Sequence, residues 1–95
     1  MERKLLSPVE ARSALSDLKG WVAKDNNVER RFEFDNFADS LKFVNQVGAI
    51  AEKLDHHPDI TFGWGYAEIK STTHDRGGVT EYDIELARKI DELEG

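Results

Sequence analysis

The stretch that decides the fold is ITFGWGYAEIKS, residues 60–71, in which apolar and polar side chains alternate on both sides of a glycine-rich centre. Alternation with a period of two is typical of half-buried β-strands. We predict a hairpin with Gly65 and Tyr66 as its two-residue turn, because glycine suits the first central position of a type II′ turn. One face of this hairpin then carries Ile60, Phe62, Trp64, Ala67, Ile69 and Ser71.

A second hairpin is predicted upstream, between residues 21 and 34. The segment from Val28 to Phe34 alternates again, with a charged face opposite a mainly apolar face. A shorter strand around Trp21 to Lys24 pairs with it through the turn-forming sequence Asp-Asn-Asn at residues 25–27. The apolar face consists of Val28, Arg30, Phe32 and Phe34, and the opposite face of Glu29, Arg31 and Glu33.

The first helix has clear start and stop signals. Ser7 and Glu10 form a capping box, and Pro8 is pre-set for the first helical position. Gly20 is expected to end this helix. Its inward face carries Ala11, Ala14, Leu15 and Leu18.

Two longer helices follow the two hairpins. One begins after Asp35 or Asn36 and ends before Pro58, which moves His57 out of the α region. The other opens with a capping box from Thr80 to Asp83. The apolar stripe predicted for the first of these helices is Phe37, Leu41, Val44, Val47, Gly48, Ala51 and Leu54, and that for the second is Ile84, Ala87, Ile90 and Leu93.

The element order α-ββ-α-ββ-α predicts an α+β fold. Strands this short cannot bury both of their faces, so we expect one four-stranded antiparallel sheet with the helices packed on one face. Residues 1–95 contain no linker, repeat or low-complexity stretch, which indicates a single domain.

The composition excludes several functional classes. With 19 acidic and 13 basic residues the net charge is −6, which opposes nucleic-acid binding. The chain has no cysteine, so thiolate metal sites and cysteine nucleophiles are excluded. The sequence also lacks the roughly 20 apolar residues needed to span a bilayer and lacks a secretory leader pattern. We therefore expect no nucleic-acid partner, no membrane association and a cytoplasmic location.

The main chemical signal is the position of the three histidines. His56 and His57 follow the long helix, and His74 follows the last strand, so the fold can bring them together. Spacing places Glu52, Asp55 and His56 on one side of the final helical turn. Imidazoles in such a place suit proton transfer near neutral pH.

Two other interpretations of these histidines remain open. They could simply stabilise a helix end and a polar loop. They could also bind a divalent metal through Glu52, His56 and His74, although no recognised metal-binding spacing is present and we predict no metal site.

The remaining candidate residues are weaker. Trp21 and Phe62 are most simply core residues, whereas Trp64, beside two glycines, could be core or a platform on which a ligand stacks. Asp83 is first a helix-capping residue. The acidic residues near the C-terminus are expected to be solvated.

The segment EKLDHHP, from Glu52 to Pro58, resembles the signature of the pterin-4a-carbinolamine dehydratases. The resemblance extends beyond this segment, because Trp64, His74 and Asp83 fill further places of the family pattern. It covers nearly the whole chain.

The resemblance implies a hydro-lyase that converts 4a-hydroxytetrahydropterin to quinonoid dihydropterin in tetrahydrobiopterin recycling, without a metal or redox cofactor. It implies sheets that join across subunits in a homodimer or homotetramer. His56 and His74 then exchange the protons, while His57 binds and orients the pterin. The groups implied to bind substrate or support the site are Glu52, Asp55, Pro58, Trp64 and Asp83.

Two rival functions stay open. Some members of the family that the chain resembles bind a homeodomain transcription factor and stabilise its dimer, a role that would use the helical surface. The chain could also be a dehydratase or binder in another pterin pathway.

Overall fold

The computed structural model describes residues 1–94 and shows the predicted element order in a single α+β domain. The helices are α1 (Pro8–Ala14), α2 (Phe37–Leu54) and α3 (Glu81–Glu94), and the strands are β1 (Val22–Lys24), β2 (Asn27–Glu33), β3 (Asp59–Gly63) and β4 (Tyr66–Ser71). A short 3₁₀ helix, His74–Arg76, lies between β4 and α3. Within the described residues, no helix is both long and apolar enough to cross a bilayer.

The four strands form one antiparallel sheet in the order β1-β2-β4-β3. Each hairpin therefore contributes one central strand and one edge strand. The face that carries Val28, Phe32 and Ile69 is buried, whereas the face that carries Arg31 and Lys70 is exposed. The helices cover one face of the sheet, as predicted.

The β1–β2 turn contains two residues, Asp25 and Asn26, because Lys24 pairs with Asn27. Both have a positive φ, 51° and 65°. This is the requirement of a type I′ turn, which aspartate and asparagine tolerate better than other non-glycine residues.

The β3–β4 hairpin is confirmed, but its predicted turn is wrong. Gly63 pairs with Tyr66, so the turn consists of Trp64 and Gly65. Gly65 has a φ of 82° at the second central position, where a type II turn requires a positive φ. The register differs from the predicted one by two residues. Such a shift keeps the remaining side chains of the predicted face together, whereas Trp64 moves into the turn.

Helix α1 has the predicted capping box, in which Ser7 and Glu10 bond reciprocally. It ends at Ala14, before the predicted stop at Gly20. Bonds of the i→i+3 type, such as Leu18 N–H to the Leu15 carbonyl, carry the chain through tight turns instead.

Helix α2 confirms part of the predicted stripe, because Val47 and Ala51 are buried and Val44 and Leu54 pack against the core. Other members of the predicted stripe face solvent. Phe43 is buried because its ring packs against those of Phe32 and Phe34, with centroids 4.6 and 5.0 Å away. Phe37 and Leu41, predicted to face the core, remain 45% and 40% exposed. The buried residues of α2 are Ser40, Phe43, Val47 and Ala51.

Helix α3 buries Ile84, Ala87 and Ile90 as predicted, and Leu86 as well. Leu93 was predicted to face inward but is 37% exposed. The N-terminus of this helix, at Thr80, lies within the buried core, so the polar groups there must be paired inside the protein.

Candidate functional site

The end of α2 separates the two adjacent histidines. Asp55 adopts a left-handed conformation with φ 56° and ψ 44°, and the N–H of His56 donates to the Ala51 carbonyl. The chain therefore leaves the helix axis at Asp55, and His56 and His57 have different surroundings. The expectation that Glu52, Asp55 and His56 share one side of the final helical turn is wrong, because α2 ends at Leu54. Glu52 is exposed beside His57, whereas the side chain of His56 is nearly buried.

His56 points into the protein. Its side chain is 10% exposed, and Nε2 lies 2.6 Å from Oδ1 of Asp83 on α3. Its ring also packs against that of Tyr82, with centroids 5.6 Å apart. These contacts hold the imidazole between the end of α2 and the beginning of α3.

Asp83 is fully buried and accepts four hydrogen bonds. His56 and Ser71 contact Oδ1, while the Thr73 hydroxyl and the Thr80 backbone N–H donate to Oδ2 at 2.8 and 2.9 Å. Burial alone raises the pKa of the Asp83 carboxyl, but the four donors together outweigh burial and lower this pKa below its ordinary 3.8. Asp83 is therefore an anion at neutral pH.

The segment before His74 belongs to the same network. Thr73 is buried, and its hydroxyl contacts that of Thr80 at 2.8 Å as well as Asp83. Its backbone pairs with Gly78, which closes the loop that contains His74. His74 itself is exposed at the start of the 3₁₀ helix. The network thus fixes the backbone from which an exposed imidazole extends.

His57 is the second exposed imidazole. Its Nε2 contacts Oε2 of Glu52, and both side chains are more than half exposed. Pro58 is half-buried and leads directly into β3. Because Asp59 pairs with Lys70, the chain just before β3 and the chain just after β4 lie at the same end of the hairpin. The structure therefore brings all three histidines to one end of the sheet.

Trp64 is the candidate that the structure does not bring to the histidines. It lies in the β3–β4 turn and is 72% exposed. At about 3.3 Å per residue, the five residues of β3 place it about 16 Å from the histidine end of the same chain. Of the two alternatives left open for Trp64, the core residue is wrong, because the turn position leaves its ring in solvent.

The alternative metal set is not assembled. Glu52 contacts His57 and His56 contacts Asp83, so Glu52, His56 and His74, the ligands of the alternative interpretation, have no contact with one another. Among residues 1–94, no group of three His, Asp or Glu side chains has a geometry that could hold a metal ion.

A separate cleft of about 740 Å³ lies between the N-terminal segment and the β1–β2 turn. Its walls include Leu5, Arg12, Lys24, Asn26 and Val79. None of the three histidines lines it, so the cleft is distinct from the proton-transfer candidates.

Sequence reasoning missed three hydroxyl side chains of the site. Ser71 and Thr73 both donate to Asp83, and Thr80 bridges to Thr73. The available signal was the run Ser71-Thr72-Thr73 between a strand and a histidine, since small hydroxyl residues often pair buried polar groups. Asp83 does act in capping α3, as predicted, but also binds His56.

The family profile and the similar proteins of known sequence all indicate the same family. Residues 4–93 match the family profile described as pterin 4 alpha carbinolamine dehydratase. A protein of Sulfurisphaera tokodaii, provisionally named pterin-4-alpha-carbinolamine dehydratase, is 43% identical over 95% of this chain and 97% of its own length. A protein of Rubrobacter xylanophilus with the same provisional name is 51% identical over 80% of this chain and 72% of its own.

Two solved structures are also similar. One is a transcriptional coactivator/pterin dehydratase from Brucella melitensis, with a TM-score of 0.90 and 36% identity over 97% of this chain and all of that chain. The other is a pterin dehydratase-like protein identified as a RuBisCO assembly factor in the α-carboxysome. Its TM-score is 0.65, with 26% identity over 79% of this chain and 87% of that chain.

Proposed function

Because the chain belongs to the pterin 4 alpha carbinolamine dehydratase family, we propose that it is a hydro-lyase that removes water from a 4a-hydroxytetrahydropterin by general acid–base catalysis. The observation that carries this proposal is the arrangement of three imidazoles at one end of the sheet, one of them held by a buried carboxylate. Such an arrangement suits proton transfer at neutral pH.

The reaction requires two proton transfers and no electron transfer. The C4a–OH bond breaks as the hydroxyl receives a proton and leaves as water. N5 loses its proton, and its electron pair forms the C4a=N5 double bond of the quinonoid dihydropterin. Imidazoles can perform both transfers, so neither a metal nor a redox cofactor is needed.

We assign the proton transfers to His56, which contacts Asp83, and to His74, which directly follows the Asp83 donor Thr73. His57 binds and orients the pterin, and Glu52 supports it through their contact. Asp55 and Pro58 set the path of the chain between the two adjacent histidines. Trp64 receives no role in the site of its own chain, because it lies at the other end of the hairpin.

Steady-state dehydration of a chemically generated 4a-carbinolamine tests this function. We expect turnover well above the buffer rate. Carbinolamines that differ in the side chain at C6 then test the finer proposal that tetrahydrobiopterin recycling is the physiological reaction. A preference for another side chain would place the protein in a different pterin pathway. A rate equal to that in buffer alone for every carbinolamine would contradict the proposal that the protein is a dehydratase.

The rival role as a protein-interaction module uses other residues. The outer face of α2 exposes Phe37 and Leu41, and it contains none of the three histidines. The similar protein from Brucella melitensis is described as a transcriptional coactivator as well as a pterin dehydratase. The two roles can coexist, because a partner on α2 leaves the histidine end of the sheet free.

A further inference from the structure

Asp83 determines which nitrogen of His56 carries the bound proton. An ionised carboxylate only accepts hydrogen bonds. Its Oδ1 lies 2.6 Å from Nε2 of His56, so Nε2 must be the protonated nitrogen of the neutral ring. A contact of this kind is how a second residue fixes the tautomer of a functional histidine.

The other nitrogen of His56 faces outward. Within residues 1–94, every buried side-chain nitrogen or oxygen has a hydrogen-bond partner. Nδ1 of His56 has no partner among these residues. Nδ1 must therefore reach the small part of the His56 surface that is open to solvent. This is the atom that an incoming ligand can contact.

The carboxylate itself is held so that it cannot turn or change partners. Each of its oxygens has two donors, one pair from His56 and Ser71 and the other from Thr73 and the Thr80 N–H. These donors come from the segment after α2, from β4, from the loop that follows β4 and from the residue before α3. Rotation of Asp83 would break bonds to several elements at once.

We propose that Asp83 is a positioning residue that holds His56 as the Nε2–H tautomer, so that Nδ1 is the atom that exchanges a proton with the substrate. The chemical part of this inference rests on the proposed dehydratase function. The tautomer of His56 does not depend on that function, since it follows from the contacts of His56 with Asp83 in the protein without substrate.

The first test needs no mutation. In the ¹⁵N-labelled full chain, long-range ¹H–¹⁵N spectra identify the protonated nitrogen of each histidine. We expect neutral His56 to be wholly Nε2–H, with a ring proton that exchanges slowly with water because it bonds to a buried acceptor. Exposed His57 and His74 should show fast exchange. A proton on Nδ1 of neutral His56 would overturn the proposal.

The second test is Asp83→Asn, which replaces one acceptor oxygen by an NH₂ donor that faces donors already present. We expect loss of the slowly exchanging His56 ring proton and a fall in kcat of roughly tenfold or more, with KM within about twofold, as a misplaced general acid or base would show. The matched control is Asp91→Asn on the same helix, where the carboxylate accepts from Trp21 and Arg30 instead. This control should leave the His56 signal and kcat unchanged.

If Asp83→Asn does not fold, two milder variants test the same proposal. Ser71→Ala and Thr73→Val each remove one donor but keep the carboxylate, and each should lower kcat by a smaller factor in proportion to the loss of the slow ring proton. Parent-like kcat in a folded Asp83→Asn protein overturns the inference while the dehydratase stands. A parent protein without turnover overturns the dehydratase, and the ring spectra still decide the tautomer.

Discussion

The backbone N–H of His56 lies 3.0 Å from the carbonyl oxygen of Ala51, and this bond closes the C-terminus of α2. The N–H of Asp55 bonds in turn to the Glu52 carbonyl, which completes a Schellman motif around a left-handed residue. The motif turns His56 toward the buried Asp83 and leaves His57 outside, beside Glu52. The separation of the two imidazoles is thus a backbone property of a single position.

A first prediction concerns that position. At φ 56°, glycine is unstrained and asparagine is tolerated, whereas alanine costs about 1–2 kcal/mol. Asp55→Gly and Asp55→Asn should therefore keep the urea midpoint and kcat near those of the parent. Asp55→Ala should lower the free energy of unfolding by about 1 kcal/mol. If glycine proved as damaging as alanine, the Asp55 side chain would have a chemical role instead.

A second prediction follows from the lowered pKa of Asp83. A carboxyl whose pKa is lower in the folded state stabilises the fold above its unfolded pKa, and this stabilisation is lost as the pH falls through the folded value. Stability should therefore decline once the pH falls below the ordinary 3.8 of this carboxyl and through its lower folded pKa. Urea unfolding across that range should show a shallower decline for Asp83→Asn. An equal slope in both proteins would contradict this account.

Much of the fold follows from local signals in the sequence. Ser7 and Glu10 form their capping box within one helical turn, and the alternation around Phe32 defines its strand without reference to distant residues. Such features depend on neighbouring residues, so a single sequence can predict them.

The errors in the predicted fold occur where the sequence pattern is compatible with two local arrangements. A hairpin turn at Trp64-Gly65 or at Gly65-Tyr66 leaves the alternating residues of both strands, apart from Trp64 itself, on the same face, so alternation cannot choose between the two turns. Helix α2 has apolar residues on several sides. Phe43 is buried against the rings of Phe32 and Phe34, whereas Leu41 stays exposed.

In the candidate site, too, the sequence predicts local features but not contacts between distant residues. The positions of the histidines at element ends could be read from the sequence. The hydrogen bonds to Asp83 could not, because Ser71 and His56 come from distant parts of the chain and meet only through the tertiary fold.

A third prediction is that the protein self-associates. Strands β1 and β3 are open edges of the sheet, and Phe37, Leu41 and Trp64 are exposed apolar residues. Natural proteins usually cover such edges and surfaces. Light scattering at micromolar concentration should give at least twice the 10.8 kDa of one chain. A stable mass of one chain at that concentration would count against self-association.

A fourth prediction is that dehydration does not depend on a metal. The proposed proton exchange uses imidazoles, and His56 is already engaged by Asp83. Prolonged treatment with a strong chelator, followed by desalting, should leave kcat and KM unchanged. Loss of activity that zinc restores would revive the interpretation in which Glu52, His56 and His74 bind a metal.

The fifth prediction compares the three histidines. Replacing a general acid or base typically lowers the rate by roughly 10²-fold or more, so His56→Ala and His74→Ala should each reduce kcat by that factor. His57→Ala should act chiefly by raising KM, because its proposed role is binding. Glu52→Gln is the matched variant for His57, since Glu52 contacts only that histidine among the three, and it should raise KM in the same direction.

The three variants should also differ in stability, which the sequence alone did not indicate. His74 and His57 are exposed, so their replacement should change the free energy of unfolding by about 0.5 kcal/mol or less. His56→Ala removes a donor from the buried Asp83 carboxylate and should cost about 1–3 kcal/mol. Rates must therefore be compared at a temperature where circular dichroism shows each variant folded.

A single variant could retain partial activity if each histidine serves a different stereoisomer of the substrate, so the decisive protein is the double variant His56→Ala, His74→Ala. Full turnover by a folded double variant would show that these histidines are structural and that the proposed chemistry is wrong.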